Sequence, residues 1–203
     1  MSRARLIFVK IYIMKMLIIE GIATSGKSSL IKKLTELLGE KRLLIFGEPA
    51  THIPIMEKTD ELHVEFFKSL IDDAVKADAD LVIFDRLHYT QAYRAKASLV
   101  EYAEIDDLLS KQDTLVAYLR VDESAIAERV RLATEHRDRT WGDYVLTKGK
   151  TFDEIAEYYV AQQSSQLQLL SQTKLAYKVF NTTQHNYQTI AEQIINDWYK
   201  KPA

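Results

Sequence analysis

The stretch Met16 to Leu34, "MLIIEGIATSGKSSLIKKL", decides the fold. It opens on an apolar run, Met16 to Ile19, closed by Glu20. It then fits G-x-x-x-x-G-K-[ST] with Gly21, Gly26, Lys27 and Ser28. A periodic apolar segment follows, as a helix requires. Strand, glycine-rich turn and helix in that order are the context this spacing needs. The glycines let the backbone curl so that successive N–H groups point inward at an anion. The helix that follows adds its positive N-terminal end.

The anion so implied is the phosphate chain of a nucleoside triphosphate. Gly21, Ser25, Gly26, Lys27, Ser28 and Ser29 are the residues expected to hold it. Lys27 is placed to reach the β and γ phosphates, and Ser28 to ligate Mg²⁺. ATP and Mg²⁺ are the cofactors expected. The loop alone does not say where the phosphate goes. Nucleotide switches need a guanine-reading N-K-x-D and a D-x-x-G, and neither string occurs. Transport-type ATPases need an L-S-G-G-Q-like signature, which is also missing.

Outward from the loop, short apolar runs alternate with longer periodic segments. Strands are expected at Met16–Glu20, Arg42–Phe46, Asp80–Phe84, Thr114–Arg120 and Ala176–Phe180. Runs such as "LVIF" and "TLVAYL" are apolar without alternation, as in strands covered on both faces. Helices are expected over 27–39, 57–77, 89–110, 123–135, 151–171 and 185–199. In the last, Ile190, Ile194, Ile195 and Trp198 form one stripe. The alternation implies an α/β fold: a five-stranded parallel sheet with helices on both faces, three layers in all. The most polar and least periodic stretch is "TEHRDRTWGDYVLTKGK", Thr134 to Lys150. It reads as a lid.

Composition fits this. At 203 residues the chain is expected to form one domain, with residues 1–13 an extension and 134–150 the lid. Met14 and Met16 are alternative starts. The formal net charge of −2 argues against nucleic acid or a membrane surface as partner. There is no cysteine, hence no disulfide framework. "MSRARLIFVKIYIMK" loosely mimics a signal peptide, but Lys10 and Lys15 interrupt the apolar run. A cytoplasmic protein is expected, with a homodimer left open.

"LVIFDRLHYTQAYR" puts Asp85 and Arg86 directly after a strand, with Ala92-Tyr93 downstream. "GEPAT" puts Glu48-Pro49 after the second strand, and "ERVRLATEHRDRTW" carries Arg129, Arg131, Arg137 and Arg139. Together with the glycine loop, over residues 16 to about 199, these resemble the P-loop nucleoside and nucleotide kinases. Thymidylate kinases share the D-R, the E-P, the A-Y and the arginine-rich lid, and deoxynucleoside kinases share the E-P and D/E-R. The resemblance implies a kinase fold with a short arginine-rich lid. It also implies transfer of the ATP γ-phosphoryl group to a deoxynucleoside or thymidylate-like acceptor. The partner would be a small nucleoside or nucleoside monophosphate. Two other readings stay open: a nucleotide-binding regulatory protein, and a kinase acting on another small alcohol.

The departures bear on the acceptor. Thymidylate kinases usually carry an arginine before E-P, where this chain has Gly47, and a carboxylate inside the loop, where it has Ala23. No arginine lies between Arg42 and Arg86. A monophosphate acceptor is already an oxyanion and needs cationic clamps. A hydroxyl gains from a carboxylate base. The chain keeps the candidate base, Glu48, and retains Arg86, Arg94, Lys68 and the lid arginines as cations.

The expected roles follow. Asp85 coordinates magnesium with Ser28, or else caps a helix. Arg86 holds acceptor or transferring phosphate, or else forms a structural ion pair. Glu48 is the base, or a solvated loop acid. Arg137 and Arg139 close over the phosphates, and Arg131 is a further phosphate contact. Asn181-Thr182-Thr183 resembles an adenine-contacting loop, or caps the last helix. Phe66, Phe67, Tyr89 and Tyr93 are stacking candidates that serve equally well as core.

Overall fold

The computed structural model describes residues 13–136 and 139–201. The strands are β1 (Lys15–Glu20), β2 (Leu43–Phe46), β3 (Leu81–Asp85), β4 (Asp113–Arg120) and β5 (Ala176–Asn181). They form one parallel sheet in the order β2-β3-β1-β4-β5. The helices are α1 (Lys27–Leu38), α2 (Glu48–Thr51), α3 (Val64–Lys76), α4 (His88–Ala95), α5 (Ala103–Leu109), α6 (Glu123–His136), α7 (Arg139–Leu146), α8 (Phe152–Leu170) and α9 (Tyr187–Ile194). The five-stranded parallel α/β architecture is the one the sequence implied.

Successive strand residues point to opposite faces, so one apolar run feeds two cores. Met16, Ile18, Val82, Phe84, Val116 and Tyr118 pack with Phe67 and Ile71 of α3 and Ile105 of α5. Leu17, Ile19, Ile83, Ala117 and Leu119 pack with Leu30 and Leu34 of α1 and Ile190 and Ile194 of α9. A third cluster lies among Ile22, Val121, Ile126 and Val130, with Val145 of α7 and Ile155 of α8. Each Leu, Ile, Val, Phe or Met side chain among them, fully buried, contributes about 1.5–3 kcal/mol of transfer free energy. Among the described residues no helix is long and apolar enough to cross a membrane.

Four expected boundaries change, each for a local reason. The helix expected from 57 begins only at Val64, after His63 in a left-handed conformation (φ 55°). Gln91 of α4 donates to the Glu61 carbonyl at 2.7 Å, which holds that segment as a loop. The helix expected over 89–110 breaks at Lys96 (φ 52°) and restarts at Ser98, where Ser98 and Glu101 form a capping box. The stretch read as aperiodic contains α7, because Trp141 and Val145 sit one turn apart and Val145 is buried. Its charged residues hid that stripe. Glu48, read as a loop acid or base, opens the short helix α2 with Pro49 behind it. Residues 1–12, most of the proposed extension, lie outside the described residues.

Candidate active site

The sheet register sets the site. Ile19 pairs with Asp85, and the Arg86 amide donates to the Ile19 carbonyl at 3.0 Å. The D-R pair therefore lies beside the loop that leaves β1. Glu20 locks the two together. Its fully buried carboxylate accepts from the Leu87 amide at 2.8 Å and the Thr90 hydroxyl at 2.6 Å. Burial pushes its pKa up, against the pull of those hydrogen bonds. Nothing in the sequence marked Glu20 or Thr90 as more than the ends of elements.

The loop itself is glycine-dependent at two points. Gly21 has φ 142° and Gly26 φ 96°. A side chain on Gly21 would come within 2.6 Å of the Leu119 carbonyl, and one on Gly26 within 2.2 Å of the Tyr187 ring. Lys27, the first residue of α1, folds back. Its Nζ donates to the Gly21 carbonyl at 3.0 Å and the Ile22 carbonyl at 2.9 Å.

Around the loop lies a cavity of about 260 Å³, at the C-terminal ends of the strands. Gly26, Lys27, Ser28 and Ser29 line it, together with Glu48, Asp85 and Arg86. Glu48 Oε1 is 3.5 Å from Arg86 Nε, and Arg86 Nη1 donates to the Gly21 carbonyl at 3.4 Å. Arg86 holds a left-handed backbone (φ 68°), uncommon outside glycine. The Thr51 hydroxyl donates to the Asp85 carbonyl at 2.6 Å, which ties α2 to β3. Residues from three separate segments thus meet in one cleft. Gly21 and the buried Ser25 form the loop behind its lining.

Other expected site residues sit elsewhere. Arg131 pairs with Glu128 and Glu135 on its own helix and does not line the cavity. Arg139 starts α7 with its side chain 94 % exposed, 3.7 Å from Asp143. Arg137 lies outside the described residues. Asn181 donates to Asp122 at 2.9 Å, away from the cavity lining. Phe67 and Tyr89 are core. Lys68 pairs with Glu65 and Glu104 at the surface. Arg129, by contrast, lines the cavity while buried; it donates to the Thr24 carbonyl at 3.0 Å and to the Thr182 carbonyl, strapping the loop to the end of β5. Ala23 and Thr24 of the loop line it too, and Leu132, Ala133, Trp141, His185 and Tyr187 complete the cavity; sequence reasoning had given none of these last five a role.

The electrostatics are those of a cation-rich pocket. Burial, then the charge of Arg86, push the Lys27 ammonium down to about 7, against the pull of Asp85, Glu48 and Glu20. His52, one turn after Glu48, is pushed down to about 3 by burial, then by Arg86, Arg94 and Lys27. Arg94 Nη1 lies 3.3 Å from both His52 ring nitrogens, which only a position over the ring face allows. His52 is therefore neutral at ordinary pH.

A pH prediction follows from Lys27. The unfolded lysine titrates near 10.4, so between about pH 7 and about pH 10.4 the unfolded chain binds the extra proton. Stability from this group rises with pH across that window, and below it the penalty is full. Lys27→Met is expected to be more stable than wild type near pH 6, by a few kcal/mol, with the advantage shrinking toward about pH 10. Urea midpoints of both proteins at the two pH values check this. Parallel pH dependence would reject it.

No family model matches the sequence, and none of the curated proteins matches it. Solved structures do match. The YorR protein of Bacillus subtilis, in complex with phosphorylated GDP, shares 23 % identity over 89 % of this chain and 93 % of its own, with a TM-score of 0.59. Polyphosphate kinase 2 of Arthrobacter aurescens shares 18 % over 91 % and 67 %, at 0.61. Thymidylate kinase of Candida albicans shares 17 % over 93 % and 94 %, at 0.55.

The fold is that of the P-loop kinases. Within the P-loop kinase fold the acceptor varies, since shikimate kinases match as well. The fold by itself therefore assigns no substrate to this chain.

Proposed function

We propose that this chain is a phosphotransferase that moves the γ-phosphoryl group of ATP to a deoxynucleoside or thymidylate-like acceptor. The observation that carries the reading is the meeting of Lys27, Glu48, Asp85 and Arg86 on one cavity beside the glycine loop. The nucleotide-bound YorR and the thymidylate kinase on the same fold support it.

The loop amides and Lys27 would cradle the phosphate chain, with Lys27 giving up its carbonyl partners for phosphate oxygens. Ser28 and Asp85 both line the cavity, and a hydroxyl with a carboxylate suits a hard, oxygen-seeking cation. These two residues would hold Mg²⁺, which supplies charge neutralisation on the phosphates. Arg86 would steady the transferring group or an anionic acceptor. With a hydroxyl acceptor, Glu48 would take its proton as the new O–P bond forms and the bond to ADP breaks. A coupled ATP-consumption screen over nucleosides, their monophosphates, shikimate and polyphosphate tests the reading. Turnover on a nucleoside or its monophosphate alone supports it. Turnover only on a non-nucleotide moves the chain to the small-alcohol or polyphosphate class, and tight ATP binding without transfer to the regulatory one.

Residues 134–150 are proposed as the lid. On adding ATP and acceptor, the amides of α7 are expected to gain protection from hydrogen exchange, because Trp141 lines the cavity from that helix. Equal protection with and without ligands would count against closure.

A further inference from the structure

Glu20 ends β1 with its carboxylate fully buried, one residue before the glycine loop. A carboxylate taken out of water needs donors for its oxygens. Oε1 accepts from the Leu87 amide at 2.8 Å and the Thr90 amide at 3.4 Å, and Oε2 from the Thr90 hydroxyl at 2.6 Å. That hydroxyl accepts in turn from the Gln166 side-chain amide at 3.3 Å, and Gln166 Oε1 accepts from the Tyr118 hydroxyl at 3.0 Å. Thr90, Gln166 and Tyr118 are all buried. Donation therefore runs one way, from Tyr118 on β4 through Gln166 on α8 and Thr90 on α4, and it ends on Glu20. A chain so directed strengthens each of its bonds and leaves the carboxylate one orientation.

Both partners in the contact between Arg86 and the glycine loop are neighbours of this residue. The Leu87 amide that Glu20 holds belongs to the peptide after Arg86, and the Arg86 amide goes to the Ile19 carbonyl at 3.0 Å. Those two bonds pin Arg86 in its left-handed backbone (φ 68°), which a residue with a side chain keeps only when its surroundings hold it. The Gly21 carbonyl, next along the chain from Glu20, accepts from Arg86 Nη1 at 3.4 Å and from Lys27 Nζ at 3.0 Å. Without the bond to the Leu87 amide, Arg86 would relax toward right-handed backbone. Its guanidinium would then swing away from the Gly21 carbonyl and from Glu48.

We propose that Glu20 is a positioning residue for phosphoryl transfer: it holds Arg86 in the one backbone conformation that turns the guanidinium into the cleft, and Thr90, Gln166 and Tyr118 fix its carboxylate for that task. The proposal rests on the reading of Arg86 as the residue that steadies phosphate. Glu20 does not line the cavity, so its effect on transfer passes through Arg86.

A double-mutant cycle tests it, with ATP turnover measured on thymidine and on thymidine monophosphate. Glu20→Gln sets an amide N–H against the Thr90 hydroxyl or the Leu87 amide, where an acceptor is needed. It is expected to lower kcat about 10- to 100-fold, the usual range for a displaced catalytic group. The KM for ATP is expected to stay within about threefold, since the loop amides and Lys27 remain. In an Arg86→Ala background the same change is expected to cost less than about threefold, because the residue it positions is gone. Thr90→Val is expected to slow transfer about tenfold, and Thr90→Ser, which keeps the hydroxyl, to stay within about threefold of wild type. Melting curves establish that each variant is folded. Equal losses from Glu20→Gln in both backgrounds overturn the proposal, because a general disturbance of the fold behaves that way. Wild-type kcat in Glu20→Gln also overturns it, as does Thr90→Ser being as slow as Thr90→Val. If Arg86→Ala leaves no measurable transfer, the Thr90 pair decides. If Arg86→Ala is as fast as wild type, the reading of Arg86 fails and the proposal with it. Wild type idle on both acceptors removes the phosphotransferase reading itself, and the proposal with it.

Discussion

Lys27→Ala is expected to slow phosphoryl transfer about 10²-fold or more while the protein stays folded. Two features of the site set this expectation. Nζ already points into the loop, at the Gly21 and Ile22 carbonyls, where a bound phosphate chain would replace those partners. Its charge is also held at a cost, since burial and Arg86 push it down to about 7. An anion arriving in the cavity removes that cost, and the benefit grows as charge builds toward the β–γ bridge. The backbone amides of the loop remain in the variant, so nucleotide binding falls less than turnover. A melting curve establishes folding, and steady-state turnover of the purified variant decides the rest. Near wild-type turnover would remove the glycine loop from the mechanism.

Glu48→Gln is expected to cut turnover roughly 10²–10⁴-fold if the acceptor is a hydroxyl. Glutamine keeps the shape and removes the basicity. Glu48 opens α2 on the cavity wall, with its side chain 45 % exposed and 3.5 Å from Arg86. An incoming hydroxyl can therefore reach it. If the acceptor is a monophosphate, no proton has to be taken from it. Arg86→Ala should then do more damage than Glu48→Gln, because an anionic acceptor loses its cationic clamp. The neighbouring charges allow either outcome: Arg94 and Lys27 are near enough to depress His52, while Glu48 and Asp85 face the same space. Assaying both variants on thymidine and on thymidine monophosphate separates the cases. Robust turnover of the monophosphate with Glu48→Gln nearly silent would end the hydroxyl reading.

The sequence by itself determined the sheet and the glycine loop. Both are written in local signals: unbroken apolar runs for strands buried on two faces, and glycines where Gly21 and Gly26 need positive φ. The places of Asp85 and Glu48 on the cavity were legible because one ends a strand and the other closely follows one, where an α/β sheet presents its ligand residues. Only the tertiary structure decided which arginines face the cavity. Arg129 and Arg131 are two residues apart on one helix, so they point to different sides. One is strapped to the Thr24 and Thr182 carbonyls, and the other is paired with glutamates on its own surface. The same holds for Trp141, His185 and Tyr187, which come from two distant segments and share a wall because α7 and the turn into α9 flank the same loop. Periodicity marks how a residue sits on its own element. Which element that face meets depends on packing between segments more than a hundred residues apart, such as Gly26 and Tyr187.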